Sequence, residues 1–187
     1  LVKVYNIPVF YFPRLSHPDP TVDRRSGFLP TAISNSKNLG PSVTVPYFFA
    51  VDKDKNFTLT SRLFSDENPL FLAEYHQAFK NSNFYTDFGY TKGYEKTSPT
   101  KKSGEKSHFF SKIVKNFKGT NNSENTFDIS VQNVSNDKYL KLYKIKSNLV
   151  DYNTDTLENS IDFTHSNEDL FFGINATAFE TLKEDYE

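Results

Sequence analysis

The chain contains no cysteine, no methionine and no tryptophan. Without cysteine there is no disulfide framework and no thiolate metal site, and the redox compartment is left open. Long apolar runs are missing as well. The longest candidates, Ile7 to Pro13 and Val45 to Val51, fall far short of the ~20 apolar residues of a membrane-spanning helix. That excludes a helical membrane protein but not a β-barrel, whose strands need only ~9–11 alternating residues. Nor is there an excess of either charge: 22 basic residues face 23 acidic ones, for a net charge of −1. A nucleic-acid partner, which calls for a visible Lys/Arg surplus, is therefore not expected. Leu and Ala are sparse, and no long segment repeats its apolar residues every 3.6 positions.

What the chain does have is aromatic residues, 19 Phe and 11 Tyr, within a composition only 36% hydrophobic. Aromatic and β-branched side chains suit pleated sheets, so the expectation is an all-β chain. The stretch Ser26 to Leu63 is the most legible. Val43, Val45, Tyr47, Phe49 and Val51 alternate with Thr44, Pro46, Phe48 and Ala50, a strand in which both faces carry apolar residues. The polar cluster Asp52 to Asn56 makes a turn, and Phe57, Leu59 and Leu63 resume the pattern in a returning strand. Turn signals then recur at Asp66 to Asn68, Asn81 to Asn83, Lys92 to Lys106, Gly119 to Asn125 and Ser135 to Asp137. They delimit strands at Leu70 to Phe79, Phe84 to Thr91, His108 to Phe117, Thr126 to Val134, Tyr139 to Ser147, Ser160 to Ser166 and Leu170 to Leu182. Strands of about ten residues, joined alternately by short and long connections, match an antiparallel membrane meander better than a soluble sheet. The longest expected loop is Lys92 to Lys106, with Gly93, Pro99, Gly104 and five lysines.

Ahead of this meander, Val2 to Phe12 reads as one extended segment, with Pro8 marking an edge or strand end. The proline-bearing, charged stretch Arg14 to Arg25 reads as a linker, placing a domain boundary near residues 24 and 25. No signal-peptide pattern precedes it, and Leu1 leads directly into strand-like residues, as expected of an internal piece of a longer protein.

Motifs for bond chemistry are not found. His17, His76, His108 and His165 lack metal-ligand spacing, so no metal is expected. Asp52-x-Asp54-x-Asn56 imitates the start of a calcium loop, but Phe57 and Leu63 occupy the positions that require Gly and Glu. The Ser-x-x-Lys spacings at Ser34, Ser98 and Ser103 stand in polar turns without the companion motifs of serine acylases. No dinucleotide or phosphate-loop fingerprint is present, so no cofactor and no enzymatic activity are expected. The unusual residues are Pro30 and Pro46, prolines within strand-like runs. Each removes a ladder donor, so each marks an edge, a bulge or a seam whose strands part easily.

Several runs carry a family resemblance: Pro8 to Pro13 (PVFYFP), Asp23 to Pro30 (DRRSGFLP), Val45 to Ala50 (VPYFFA) and Asn56 to Arg62 (NFTLTSR). In order and spacing these resemble the lipopolysaccharide-assembly proteins, the LptD or organic solvent tolerance family. His108 to Lys112 and Val134 to Lys141 look like later segments of the same family. The resemblance implies a periplasmic β-jelly roll joined to an outer-membrane β-barrel, with residues 1–24 as the end of the jelly roll and a linker and residues 25–187 as the first barrel strands. It implies lipopolysaccharide as cargo and a plug lipoprotein (LptE-like) as partner. It further implies a periplasmic bridge protein (LptA-like) reached through the N-terminal domain. It also implies a lateral gate between the first and last barrel strands, to which Gly27, Phe28, Pro30 and Pro46 are the matching candidates. Phe48-Phe49 departs from the Tyr/Trp pair usual in the family, and the family's disulfide cysteines and the strand that closes the gate lie outside this sequence. A soluble β-sandwich binding carbohydrate through Tyr and Phe is the alternative from composition alone. A hydrolase would need a nucleophile and base that cannot be assembled here.

Overall fold

The computed structural model describes residues 2–4, 7–10, 24–98 and 101–182. Among these described residues the chain is all-β apart from one five-residue helix and one 3-10 turn. The amino-terminal segment is not one extended strand but two short ones, β1 (Val2–Val4) and β2 (Ile7–Phe10), paired antiparallel as a sheet of their own. Pro8 sits within β2 opposite Lys3, where it has no N–H to donate to the ladder.

The second sheet has ten strands in antiparallel order. β3 (Gly27–Phe28) and β4 (Ala32–Ser36) both pair with β5 (Gly40–Phe49). From there each strand pairs with the next in sequence: β6 (Lys55–Phe64), β7 (Leu70–Phe79), β8 (Ser82–Ser98), β9 (Lys101–Lys118), β10 (Glu124–Val134), β11 (Thr156–Ser166) and β12 (Phe171–Thr181). The predicted strand at Leu70 to Phe79 coincides with β7, and the other strands of the meander are found within a few residues of their expected bounds, with two exceptions.

The first exception is Lys92 to Lys106, which is not a loop. β8 and β9 run on past Thr91, with Ser98 opposite Lys101; residues 99 and 100 lie outside the described residues. The two glycines that suggested a loop are accommodated as irregularities in register: Gly93 has φ +80° and Gly104 φ +138°. The extension is held from the side. Glu67, buried at the β6–β7 connection, accepts the backbone N–H of Glu95 at 2.8 Å and pairs with Lys101 Nζ at 3.2 Å.

The second exception is Tyr139 to Ser147, expected as a strand and found as helix α1 (Tyr139–Tyr143) within the connection 135–155. Asn136 starts it, its carbonyl accepting from Tyr139 N and its side chain from Lys138 N. Lys144 ends it in the left-handed conformation, with Ile145 N reaching back to Leu140 O. Apolar residues at 139, 140 and 143 then share one helical stripe and are buried. With Ile145 and Val150 they form the core against Leu70, Leu72, Phe110 and Leu157. Each of these large side chains contributes roughly 1.5–3 kcal/mol by leaving water.

Register divides the sheet into two unlike faces. Paired residues share a face, so Phe49, Phe57 and Tyr75 lie on one side, as do Ala73, Phe88 and Phe109, and likewise Ile129 and Ile161. This face carries exposed Phe71, Phe88, Phe109, Ile113, Ile161 and Ile174. The opposite face carries Thr60, Glu74, His76, Asp87, Lys112, Asp128 and Asp162. The connection 135–155 packs on this polar face. The connections also sort by edge: residues 50–54, 80–81, 119–123 and 167–170 make short turns at one rim, while the β8–β9 extension and residues 135–155 stand at the other.

Candidate functional site: the break in the first strand

The four gate candidates meet at one place, where β5 pairs with the two halves of the first strand. Gly27 lies opposite Phe48 and Phe28 opposite Tyr47, but pairing resumes at Ala32 opposite Thr44. Residues 29–31 therefore face only Pro46 and Val45, which makes a bulge of one extra residue on the edge. Its one ladder bond is Leu29 N to Pro46 O, at 2.9 Å. In an antiparallel strand the N–H and C=O of a residue point to the same neighbour. Pro46 consequently withholds its donor from the first strand, not from β6, whose ladder with β5 runs unbroken from Ser42 to Phe49. Pro30, in the middle of the break, has no donor either.

The break is pinned at both ends. Below it, Ser26 Oγ accepts from Ala50 N at 2.9 Å, Arg24 donates to Lys53 O at 3.3 Å, and the Arg24 guanidinium lies over the Phe48 ring. Above it, the hydroxyls of Ser34 and Ser42 meet at 2.9 Å. On the apolar face Phe28, 74% exposed, stands edge-on to Tyr47 with ring centres 4.9 Å apart, and the aromatic row continues through Phe49 to Phe57. A Cβ on Gly27 would meet no atom within 4 Å, so open space surrounds the start of the strand. The first seam is thus two short ladders with a donor-poor gap between them. At about 0.5–1.5 kcal/mol per net hydrogen bond, it is weaker than the eleven-residue ladder between β9 and β10.

A second cluster was not legible in the sequence. On the polar face the Tyr139 hydroxyl lies 3.2 Å from His108 Nδ1, and His108 Nε2 lies 3.1 Å from Asp87 Oδ1. A carboxylate only accepts, so in the neutral ring Nε2 carries the proton and Nδ1 accepts from the tyrosine. Arg62 donates to the carbonyl of Tyr143. Burial raises the Tyr139 phenol above its ordinary range and pushes that of Tyr143 up to about 12. These contacts latch the connection to the strands. The one signal available beforehand was that Asp87 and His108 are polar residues in the middle of aromatic strands. His17 lies outside the described residues. Among the described residues no three His, Asp or Glu side chains are grouped to hold a metal ion.

No family model matches the chain. Curated relatives match part of it. The LPS-assembly protein LptD of Psychrobacter arcticus is 34% identical over 82 residues, 42% of this chain and 9% of the relative. That of Methylococcus capsulatus is 37% identical over 70 residues, 37% of the chain and 7% of the relative. That of Paraburkholderia xenovorans is 45% identical over 58 residues, 31% and 7% respectively. Part of this chain is LptD-like. The chain covers less than a tenth of the length of these LptD relatives.

Proposed function

We propose that this chain forms the first strands of the outer-membrane β-barrel of a lipopolysaccharide-assembly protein, and that the break at Gly27, Phe28 and Pro30 opposite Pro46 is one side of its lateral gate. The observation that carries this reading is the inverted amphipathicity of the sheet. Its exposed face is dominated by Phe, Ile, Leu and Val, with Ser61, Ser111 and Asn133 among them, and its sheltered face holds Glu74, Asp87, Lys112 and Asp128. In water the exposed apolar side would cost free energy; against lipid it costs none, and polar side chains belong towards a lumen. Residues 1–24 are then the end of a periplasmic jelly-roll domain and a linker, and residues 25–187 the start of the barrel. Two edges, β12 and the broken β3–β4, remain to be joined by further strands.

The mechanism makes and breaks no bonds. The sugars of lipopolysaccharide pass along the polar face, and its acyl chains leave sideways through a seam that few hydrogen bonds hold shut. A plug lipoprotein of the LptE kind fills the lumen, and a bridge protein of the LptA kind delivers the lipid through the preceding domain. The relatives named LPS-assembly proteins support this cargo. A soluble carbohydrate-binding sandwich is disfavoured, because a sandwich buries its apolar face under a second sheet, and here that face is the exposed one. Photocrosslinking from positions 28–34 during lipopolysaccharide transport in cells tests the gate. Lipid adducts are expected there, and adducts elsewhere in the barrel with none at these positions would sink the assignment.

A further inference from the structure

We propose that the recess on the polar face beneath residues 147–149 is a binding subsite for one uncharged sugar ring. The inference rests on the reading of that face as lumenal, and adds a specific site to it. The recess measures about 180 Å³ and is lined by Asn56, Glu74, His76, Tyr85 and Asp87 from the strands, and by Ser147 to Leu149 from the connection. This is below the ~300–1,000 Å³ of pockets that enclose a drug-sized ligand, and suits a single ring.

Its chemistry selects the ligand. Asp87 is 4% exposed, and while Oδ1 holds His108, Oδ2 is buried with no hydrogen-bond partner. Nε2 of His76 is buried and unpartnered in the same way. Glu74, directly across the strands from Asp87, adds a second carboxylate. Among the described residues no Lys or Arg lines the recess. Carboxylates without a cation beside them repel phosphate and accept hydrogen bonds from hydroxyls. His76 and Tyr85, both lining the recess, stack on one another with ring centres 4.2 Å apart and planes within 8°, so the surface the pair leaves uncovered is the flat outer face of a ring. The C–H groups of a pyranose carry partial positive charge and pack on such a surface, whose faces are negative. An aromatic wall, a pair of acceptors and the amides of Asn56 and Asn148 together recognise a polyhydroxy ring rather than a lipid chain or an anion.

The test uses the full-length protein, folded in detergent, and ligand-observed saturation-transfer NMR. It is titrated with the methyl glycosides of glucose and galactose and, in a parallel arm, with glucose 1-phosphate. Saturable binding of a neutral glycoside is expected, weakened roughly tenfold in Tyr85→Ala and in Glu74→Gln, with the phosphate binding more weakly. Absence of saturable binding, binding unchanged in Tyr85→Ala, or tighter binding of the phosphate would each overturn the subsite. Heat-modifiable gel migration of the same samples reports barrel folding separately. A folded barrel that binds no sugar removes the subsite alone. A protein that binds sugar without folding into a barrel leaves the subsite and removes the outer-membrane reading.

Discussion

Replacing Gly89 by alanine should release the connection 135–155 from the sheet. Gly89 lies opposite Leu72 on one side and His108 on the other, on the polar face, and its backbone is ordinary strand. Alanine would therefore fit the backbone and, by strand preference alone, gain about 0.5–1 kcal/mol. Space decides against it. A Cβ there would stand 2.4 Å from His108 Cε1, 2.6 Å from the Tyr139 hydroxyl and 2.7 Å from His108 Nδ1. The ring and the phenol must both move, and they are the two members of the latch. Losing the hydrogen bond between His108 and the Asp87 carboxylate costs about 1.5–3 kcal/mol, and losing the neutral one to Tyr139 about 1 kcal/mol. Forcing a methyl into a filled site adds about 1–3 kcal/mol. The net loss is about 3–6 kcal/mol, carried by a segment whose burial rests on five side chains, Tyr139, Leu140, Tyr143, Ile145 and Val150. Limited proteolysis should then cut within residues 144–155 in Gly89→Ala while the wild type is protected, and Gly27→Ala, where a Cβ meets nothing within 4 Å and the backbone is not left-handed, should leave the 144–155 segment protected. Equal protection of Gly89→Ala and wild type would refute the close packing of His108 and Tyr139 over this glycine.

Three further outcomes follow from the same geometry. On the apolar face, Phe88→Arg should cost about 2–4 kcal/mol for insertion near the bilayer midplane, whereas Thr60→Lys on the polar face should change it by less than about 1 kcal/mol; denaturant titration of folding into vesicles compares them. Lys144→Gly should stabilise the helix end by about 1 kcal/mol, because an exposed lysine there holds φ at +47°, and the gain should appear as slower cleavage of the connection. The raised phenols of Tyr139 and Tyr143 make the folded connection bind protons that the unfolded segment gives up near pH 10. Its protection should be complete below that pH and lost as pH rises towards about 12, with Tyr143→Phe flattening the change, as read by pH-stepped proteolysis.

The meander was legible because period-two alternation and polar turn clusters are local signals. Phe71, Ala73 and Tyr75 announce β7 without knowledge of any partner. Which face meets solvent is not local, and neither is the fate of a glycine. Gly93 and Gly104 look like loop residues, yet cross-strand pairing turns them into irregularities of a long hairpin held by Glu67, far away in sequence. Tyr139, Leu140 and Tyr143 are equally apolar in strand and helix spacing over so short a run, and only the burial offered by Leu70, Leu72 and Phe110 decides for the helix. At the candidate gate, Pro30 and Pro46 pointed from sequence alone to an edge, a bulge or a seam. The one-residue bulge and the side on which the donor is missing needed the register.

The two edges of the large sheet differ in a way that bears on how further strands would join it. β12 offers eleven consecutive residues in one uninterrupted run, so a strand arriving there nucleates once and zippers along the whole length. The β3–β4 edge offers two residues, a gap and then five, so a strand arriving there must nucleate twice and can be shed in two small steps. A strand at the first junction would be slow to leave, and one at the second would exchange readily. Order of assembly and later opening would then share one cause, the donor-poor interval at residues 29–31, with the junction at that edge both the last to set and the first to yield.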